Sequence, residues 1–419
     1  MRILLINNLF PPGFIGGYEL GVYDVARGLQ AAGHDVRVIT SDFFLDDQGA
    51  FAALPVLRTL ECVEPSRLPL DAGDRIDRGL FINLRNVRAL ASALISDPPD
   101  RVICCNVTGL GVLGLLRFVS ALGATPLIYL MDDVFSVLRH AGGRRRSYEH
   151  VFGGLGFLDD AAFILMSRNL QSQVEDTIGR PLRHVTIVPG WFDPSLVDDG
   201  TLRPSDGGPA RFVFAGQVAG HKGIGLAVDA ALRLKTFGHT AFVLDVFGAG
   251  EVPQTLQRVA ALGLSDHVRY RGVVGKTDLG RLLAGYDALL FPTWDREPFG
   301  FIVCEAAAAG CIPVITAGIG AAEWLFDGHD CLKITRTAEE LSGAMLRIIT
   351  MPSDRRDGMR TNARRAGRRF FRFEGAMRRI EAVLDGPDMR APTSLTRAIR
   401  AAEAAVTVLD DMWRKPQRG

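Results

Sequence analysis

Short, largely apolar runs alternate along the chain with longer segments in which apolar residues recur at every third or fourth position. The runs over 242–247 and 288–291 are typical of strands buried on both faces, and the longer segments are typical of amphipathic helices. Strands that alternate with helices form parallel sheets covered by helices on both faces. The sequence therefore predicts an α/β protein.

An interruption of this pattern predicts two domains. Residues 194–210 are rich in Pro, Gly, Asp and Ser, as linkers are, and a second series of strands and helices begins at Arg211. We expect the domains at 1–195 and 196–375. The remaining residues, 376–419, predict a closing helix and one further amphipathic helix, which packs on the first domain or mediates self-association.

The first domain opens with a strand, a Pro/Gly-rich loop, a helix and a strand, which is a βαβ unit. Its predicted strands and helices are 2–7, 18–32, 34–40, 75–96, 101–105, 109–122 and 126–131. The last of these strands ends in Asp132 and Asp133. Because ligands collect at the carboxyl ends of strands in open α/β sheets, these two acids are candidates for a binding site.

Residues 287–310 combine a strand, a short loop and a helix with two glutamates. Pro298 lies where a helix takes its first residue. Glu297 is then at the mouth of the turn, and Glu305 lies about two turns into the helix, roughly 10 Å from its start at ~1.5 Å per residue. This spacing allows the two carboxylates to hold different parts of one extended ligand.

The start of that helix also offers backbone donors. The N–H groups of Phe299, Gly300 and Phe301 have no partner within the helix and can bind an anion or sugar hydroxyls. The run EPFGFIVCEAAAAGCIPVI resembles the E-x7-E signature of the retaining glycosyltransferases of family 4. This resemblance implies that Glu297 contacts hydroxyls of the donor sugar and that Glu305 contacts the ribose of its nucleotide.

The resemblance also implies an architecture and a donor. Members of the family have the GT-B fold, in which two Rossmann-like, doubly wound domains face each other across a deep cleft. The cleft is then the expected site of a nucleotide diphosphate sugar, UDP- or GDP-linked, that serves as co-substrate. We expect no cofactor and no metal, because a lysine and helix dipoles can stabilise the charge of the leaving diphosphate.

A second motif supplies that lysine. The run FAGQVAGHKG resembles the family's G-R-x-x-x-x-K-G element, whose arginine and lysine neutralise the leaving diphosphate. Lys222 matches the lysine, whereas Gln217 replaces the arginine. Gln217 can donate a hydrogen bond but carries no charge, so either Lys222, the glycine loop and the helix starts together stabilise the leaving group, or another arginine does.

Three further positions follow from the resemblance. The run GGYELGVYDVARGLQAAGHDVRVIT is similar to the family's opening, in which a glycine loop touches the donor diphosphate, and this assigns Gly16 and Gly17 to donor binding. Val273, after Gly272, is expected to contact the nucleotide base through its backbone. Many members carry a His-Asp pair where this chain has LMDD, so Asp132 stands where the histidine would be; a pair of loop acids that cap the next segment is the alternative.

The composition of the chain indicates which classes of partner and which cellular compartment to expect. The chain has 419 residues, 47% of them hydrophobic, and a formal net charge of +1, so no global basic excess favours nucleic acid. The six cysteines form no C-x-x-C pair and predict reduced, buried thiols. No stretch reads as a secretion signal or as the ~20 apolar residues of a membrane span. We therefore expect a cytoplasmic protein.

Two basic runs qualify that expectation. Residues 139–146 (RHAGGRRR) and 355–379 are rich in arginine, and solvated surfaces are the plainer interpretation of both. Contact with a phosphate-bearing acceptor or with the inner face of a membrane is the alternative. A peripheral membrane location therefore remains open.

These observations favour a retaining, metal-independent glycosyltransferase of cell-surface polysaccharide or glycolipid biosynthesis. Its expected acceptor is a saccharide, a lipid-linked molecule or a small molecule, and Glu297, Lys222 and Asp132 are the candidate catalytic residues. Because Gln217 and Asp132 depart from the family pattern, a catalytically inactive nucleotide-sugar binding protein is one alternative. A nucleotide-sugar epimerase on a related fold is another.

Overall fold

The computed structural model describes residues 1–43, 51, 53–63, 79, 81–123, 125–139, 151, 154–197, 202, 207–386 and 392–414. The chain forms two compact units. The first unit comprises residues 1–166, 170–188 and 377–419, and the second comprises 167–169 and 189–376. Each unit is built on its own parallel sheet, which confirms the predicted α/β class.

The first unit contains a parallel sheet with the strand order β3-β2-β1-β4-β5-β6-β7. Its strands are β1 (Arg2–Ile6), β2 (Asp35–Ser41), β3 (Val56–Leu60), β4 (Arg101–Cys104), β5 (Leu127–Leu130), β6 (Ala162–Leu165) and β7 (His184–Ile187). All four residues of β5 are buried, as are the last four of β1. Burial on both faces is what the largely apolar runs in the sequence predict.

Helices α1 (Gly17–Ala31), α2 (Leu84–Ser96), α3 (Val112–Ala121) and α4 (Arg168–Ile178) connect these strands. The α2 helix begins at Leu84, where the Asn83 side chain accepts the N–H groups of Arg85 and Asn86 and caps it; residues 75–78 of the helix expected from Arg75 lie outside the described residues. The start of α3 is later than expected. The helix expected from Gly109 begins at Val112, after Gly111 takes a left-handed conformation.

The second unit contains a parallel sheet with the strand order β10-β9-β8-β11-β12-β13. Its strands are β8 (Ala210–Ala215), β9 (Phe242–Phe247), β10 (Val268–Tyr270), β11 (Ala288–Phe291), β12 (Ile312–Thr316) and β13 (Leu332–Ile334). The helices are α5 (Ile224–Thr236), α6 (Val252–Ala261), α7 (Lys276–Leu283), α8 (Phe301–Ala309), α9 (Ala338–Thr350) and α10 (Ser353–Phe370). A further helix, α11 (Phe373–Leu384), follows.

In the second sheet the order of connection reverses at β8, which lies between β9 and β11. In open α/β sheets, ligands bind outside the carboxyl ends of the strands at such a reversal. The loops that follow β8 and β11 carry Lys222 and Glu297. Topology therefore places these two predicted residues at the position where a doubly wound sheet binds its ligand.

Small residues allow α8 to lie close to α10. Ala306 to Ala309 are buried, and a Cβ on Gly367 of α10 would meet the backbone of Ala307 and Ala308 at less than 3 Å. The alanine run after Glu305 therefore fixes the distance between two helices rather than contributing bulk to the core.

The last helix, α12 (Leu395–Arg414), packs on α2 and α3 of the first unit. Ala398, Ala402 and Ala405 are buried in the core of that unit, and Leu395 and Ile399 pack beside them. Of the two roles expected for this helix, packing on the first domain is the one the structure shows.

The arginine-rich run at 355–379 forms α10 and most of α11, with Arg356 and Arg360 buried.

The loops after β8 and β9 touch each other through glycine. Gly248 has a φ of 136°, and a Cβ there would collide with the carbonyl oxygen of Gly216. We expect Gly248→Ala to lower the free energy of unfolding by at least about 1–3 kcal/mol, because the left-handed strain adds to the clash. Urea denaturation measures this.

Gly343→Ala is the matched control, because Gly343 lies inside α9 with open space around its Cβ position. That variant should be unchanged or more stable by about 0.5–1 kcal/mol. Equal stability of the two alanine variants would contradict the close approach of the two loops.

Candidate functional site

Lys222 and Glu297 form an ion pair at the carboxyl edge of the second sheet. The Lys222 Nζ donates to Glu297 Oε2 at 2.5 Å, and the hydroxyl of Thr293 donates to the same oxygen at 3.2 Å. Only 11% of the Glu297 side chain and 26% of the Lys222 side chain are exposed. Charge-assisted hydrogen bonds of this kind are the strong ones, particularly where water is partly excluded.

The pair joins two residues to which the sequence assigned separate roles. The resemblance placed Lys222 at the diphosphate and Glu297 at the sugar, and the structure brings the two side chains together. Their separation of 75 positions in the chain left no local signal for the contact. A lysine and a carboxylate side by side can serve the neighbouring diphosphate and sugar groups of one donor.

Lys222 ends a short 3-10 turn, Gly220–Lys222, that follows β8. The N–H of Trp294, in the loop after β11, donates to the carbonyl of His221 at 3.0 Å. Gly223 continues the turn with a φ of 86°, and a Cβ there would strike the carbonyl of Pro292. The loop that carries Lys222 is therefore fixed against the loop that carries Glu297.

Helix α8 begins later than the sequence predicted. The proline pattern placed its first residue at Pro298, whereas the helix begins at Phe301 with Gly300 as its N-cap at a φ of 94°. A Cβ on Gly300 would lie 2.8 Å from the ring of Phe291, so glycine is required at this turn. The left-handed residue, and not the proline, decides where the helix starts.

This start corrects the position of Glu305. It lies one turn into α8, at roughly 6 Å from the first residue for a rise of ~1.5 Å per residue, and not two turns as predicted. Its side chain is partly buried. The N–H of Val303 donates to Gly300, and no backbone acceptor within the described residues takes the N–H groups of Gly300 or Phe301. Those groups are available as donors at the helix start, and the binding of an anion there remains a prediction.

A short segment, Ser167–Asn169, holds the Glu297 loop from the other side. The Ser167 hydroxyl donates to the carbonyl of Pro298 at 2.7 Å, and the Asn169 amide donates to the carbonyls of Asp295 and Glu297. Sequence reasoning did not find this segment, because nothing in its residue types distinguishes it from a helix start.

Glu323 orients that segment. Its carboxylate accepts the backbone N–H groups of Arg168 at 3.0 Å and of Asn169 at 2.7 Å. A carboxylate at the first turn of a helix is favourable for both hydrogen bonding and the helix dipole. Glu323 lies in the 3-10 helix Gly320–Trp324, which follows β12.

Gln217 and Val273 also lie at the carboxyl edge of the second sheet. Gln217 follows β8 and is exposed, and Val273 follows β10 with 72% of its surface exposed. An exposed backbone at Val273 is accessible to a ligand. The roles that the resemblance assigns to these two residues remain predictions.

In the first unit, Gly16 and Gly17 form the start of α1 beyond β1. Gly16 is the N-cap, and its N–H donates to Glu19 Oε2 at 2.9 Å, while that of Ile15 reaches the same oxygen at 3.3 Å. The buried Glu19 carboxylate therefore occupies two of the N–H groups that a glycine loop could offer to a phosphate. Gly17, the first helical residue, is exposed.

The two acids after β5 have different surroundings. Asp133 is 4% exposed, accepts the N–H of Phe135 at 3.1 Å and the Thr177 hydroxyl at 2.6 Å, and caps the 3-10 helix Val134–Arg139. Asp132 is exposed and accepts the N–H of Asp133 at 2.7 Å. Asp133 thus fits the capping alternative, and Asp132 is the acid that a ligand can reach.

His221 lies among the charged groups of the second unit. Partial burial lowers the pKa of its imidazole below the ordinary value, and the neighbouring charges of Lys222 and Arg336 lower that pKa further. Glu297 and Glu251 oppose these effects. The ring packs at 5.5 Å from that of Trp294, which is exposed. His221 is therefore a mainly neutral neighbour of the ion pair at neutral pH.

Most of the basic run at 139–146 lies outside the described residues. Arg139 is described, and its guanidinium donates to the Thr177 hydroxyl at 3.1 Å. Across the described ranges, no group of three or more His, Cys, Asp or Glu side chains is arranged to hold a metal ion. No described helix is long and apolar enough to cross a membrane.

Two family models match the chain. The model described as glycosyl transferases group 1 matches residues 203–366, and the model described as glycosyl transferase 4-like domain matches residues 16–191. Glycogen synthase of Mycobacterium tuberculosis is 26% identical over 357 residues, which cover 76% of this chain and 78% of that protein.

Solved structures share the fold. Sucrose-phosphate synthase of Thermosynechococcus elongatus matches with a TM-score of 0.70 at 16% identity, over 91% of this chain and 98% of that one. Anabaena HepE, solved with UDP and glucose, matches with a TM-score of 0.65 at 17% identity, over 92% and 99% of the two chains. With its two parallel-sheet, Rossmann-like units, the chain belongs to the glycosyltransferases of family 4, which have the GT-B fold.

Proposed function

We propose that this protein is a retaining glycosyltransferase that transfers a sugar from a UDP- or GDP-linked donor without a metal ion. The proposed pathway is cell-surface polysaccharide or glycolipid biosynthesis, with a saccharide, a lipid-linked molecule or a small molecule as acceptor. The Lys222–Glu297 pair at the reversal point of the second sheet carries the proposal. It joins a cation for the leaving diphosphate to a carboxylate for the sugar hydroxyls.

The surroundings of the pair support a diphosphate donor. Breaking the sugar–phosphate bond leaves negative charge on the diphosphate, and preorganised cations and N–H donors stabilise that charge. Lys222 is the cation, and the first N–H groups of α8 lie in the residues that follow Glu297. Among the similar proteins, Anabaena HepE is described with UDP and glucose, which favours a uridine nucleotide for the first experiments.

Retention of configuration follows from the proposed roles. Glu297 is bonded to Lys222 and Thr293 and is assigned to the sugar hydroxyls, so it is not proposed as a nucleophile. The oxygen of the leaving phosphate then accepts the proton of the attacking hydroxyl on the same face of the sugar. Lys222 holds that phosphate in place while the bond to the acceptor forms.

Donor turnover tests the proposal. Purified protein is incubated with UDP- and GDP-sugars and a panel of acceptors, and released nucleoside diphosphate is measured together with the product. We expect release that depends on the acceptor, and NMR of the product should show the anomeric configuration of the donor. An inverted product would contradict retention, and isomerised donor without transfer would indicate the epimerase.

One observation favours a second candidate, a catalytically inactive nucleotide-sugar binding protein. Gln217, which lies where the family has an arginine, is exposed and uncharged. Fewer cations at the diphosphate reduce stabilisation of the leaving group without preventing donor binding. Tight binding of a sugar nucleotide with no diphosphate release for any acceptor would establish this candidate.

The proposed ribose contact gives a separate prediction. Glu305→Ala should weaken binding of UDP or GDP by roughly 1–3 kcal/mol, the size of a lost hydrogen bond to a charged group. Isothermal titration calorimetry measures it, with the exposed Glu339→Ala on α9 as control. Unchanged affinity for both nucleotides would refute the assignment of Glu305 to the ribose.

A further inference from the structure

Arg336 lies two residues beyond the end of β13, at the same edge of the second sheet as Lys222. Its Nη2 donates to the carbonyl of Gly220 at 2.8 Å and to that of His221 at 3.3 Å. These carbonyls belong to the short turn that ends in Lys222. A residue 114 positions after Lys222 in the sequence therefore holds the loop that presents it.

The carbonyl of His221 receives donors from two strand ends. The N–H of Trp294, from the loop after β11, reaches it at 3.0 Å, and Arg336 reaches it from the loop after β13. A carbonyl oxygen is the negative end of its dipole. Without donors, the carbonyl oxygens of Gly220 and His221 would lower the positive electrostatic potential beside Lys222. The full positive charge of Arg336 offsets this effect.

The guanidinium also keeps donor capacity. Its Nε is buried and donates to no acceptor within the described part of the chain. Arginine presents five N–H donors and stays charged at any relevant pH. The positive charges of Arg336 and Lys222 both lower the pKa of His221. The electric field of Arg336 therefore reaches the residue next to Lys222.

We propose that Arg336 is a positioning residue for Lys222 and supplies the second positive charge of the diphosphate site, which the family motif takes from the position of Gln217. This inference rests on the proposed function of the same site. Arg336 acts by holding the Gly220–Lys222 turn and by raising the positive potential around it.

The test compares Arg336→Gln, Arg336→Lys and the control Arg281→Gln, an exposed arginine on α7. Calorimetry gives dissociation constants for UDP, UMP and uridine, and for GDP, GMP and guanosine, while turnover is measured with the active donor. The affinity ratio of diphosphate to nucleoside is taken within each variant, so it does not depend on the fraction of folded protein.

We expect Arg336→Gln to weaken diphosphate binding by about tenfold and to lower kcat by at least as much, with nucleoside binding unchanged. Arg336→Lys, which keeps the charge, should recover part of both losses, and Arg281→Gln should match the wild type. An unchanged diphosphate-to-nucleoside ratio in Arg336→Gln would overturn the inference, whatever its stability. If the wild type binds no nucleoside diphosphate at all, the proposed function itself fails instead.

Discussion

Lys222→Met is expected to lower kcat by about 10²-fold or more, because removal of one preorganised stabiliser of a developing negative charge has effects of this size. Binding of the donor should weaken less than turnover, since the charge on the leaving diphosphate grows as the bond breaks. Steady-state kinetics with the active donor and acceptor measure both quantities. Near-normal turnover would assign the stabilisation of the leaving group to another residue.

Loss of the ion pair in Lys222→Met also lowers stability, so comparison variants are needed to separate this effect from the effect on catalysis. Lys222→Met leaves the largely buried Glu297 carboxylate without its cation, which costs about 1–3 kcal/mol of stability. Lys235→Met removes an exposed lysine whose ammonium donates to the carbonyl of Gly263, its hydrogen bond among the described residues, and it should leave kcat unchanged. The double variant Lys222→Met/Glu297→Gln should recover stability but not turnover, which separates the two effects.

Glu297→Gln is expected to lower kcat by at least about 10²-fold while leaving the affinity for UDP or GDP intact. The glutamine keeps the shape of the side chain but not the charge that orients the sugar. Without the carboxylate, Lys222 loses its ion-pair partner and can bind the diphosphate without competition from Glu297. Nucleotide affinity should therefore stay the same or rise.

Calorimetry and kinetics on the same preparation test this split. Asp295→Asn is the matched control, because Asp295 is an exposed acid in the same turn. A parallel loss of nucleotide affinity and turnover in Glu297→Gln would refute a role at the sugar alone. A loss of the same size in Asp295→Asn would show that the turn as a whole, and not the carboxylate, determines the effect.

The local pattern of apolar residues was sufficient to predict the central strands of the second sheet. The strands at 242–247 and 288–291 occur where the largely apolar runs predicted them, because a strand buried on both faces needs no tertiary information to be recognised. Helix starts were less predictable. Pro298 has the residue type of a first helical position, but the ring of Phe291 beneath Gly300 sets the start of α8.

The candidate site was predictable in its parts and not in their contacts. The two motifs identified Lys222 and Glu297, yet only the parallel alignment of β8 with β11 joins them. Arg336 had no sequence signal, since an isolated arginine after a strand is usually a solvated surface residue. Contacts between distant loops follow from strand order, which local pattern does not encode.

The most direct measurement is a crystal structure of the protein with the nucleotide sugar that gives the highest turnover. We expect Lys222 Nζ within about 3 Å of a diphosphate oxygen and the Glu297 carboxylate within about 3 Å of a sugar hydroxyl. A bound nucleotide that both side chains leave untouched, with their ion pair unchanged and its phosphates elsewhere, would contradict this expectation.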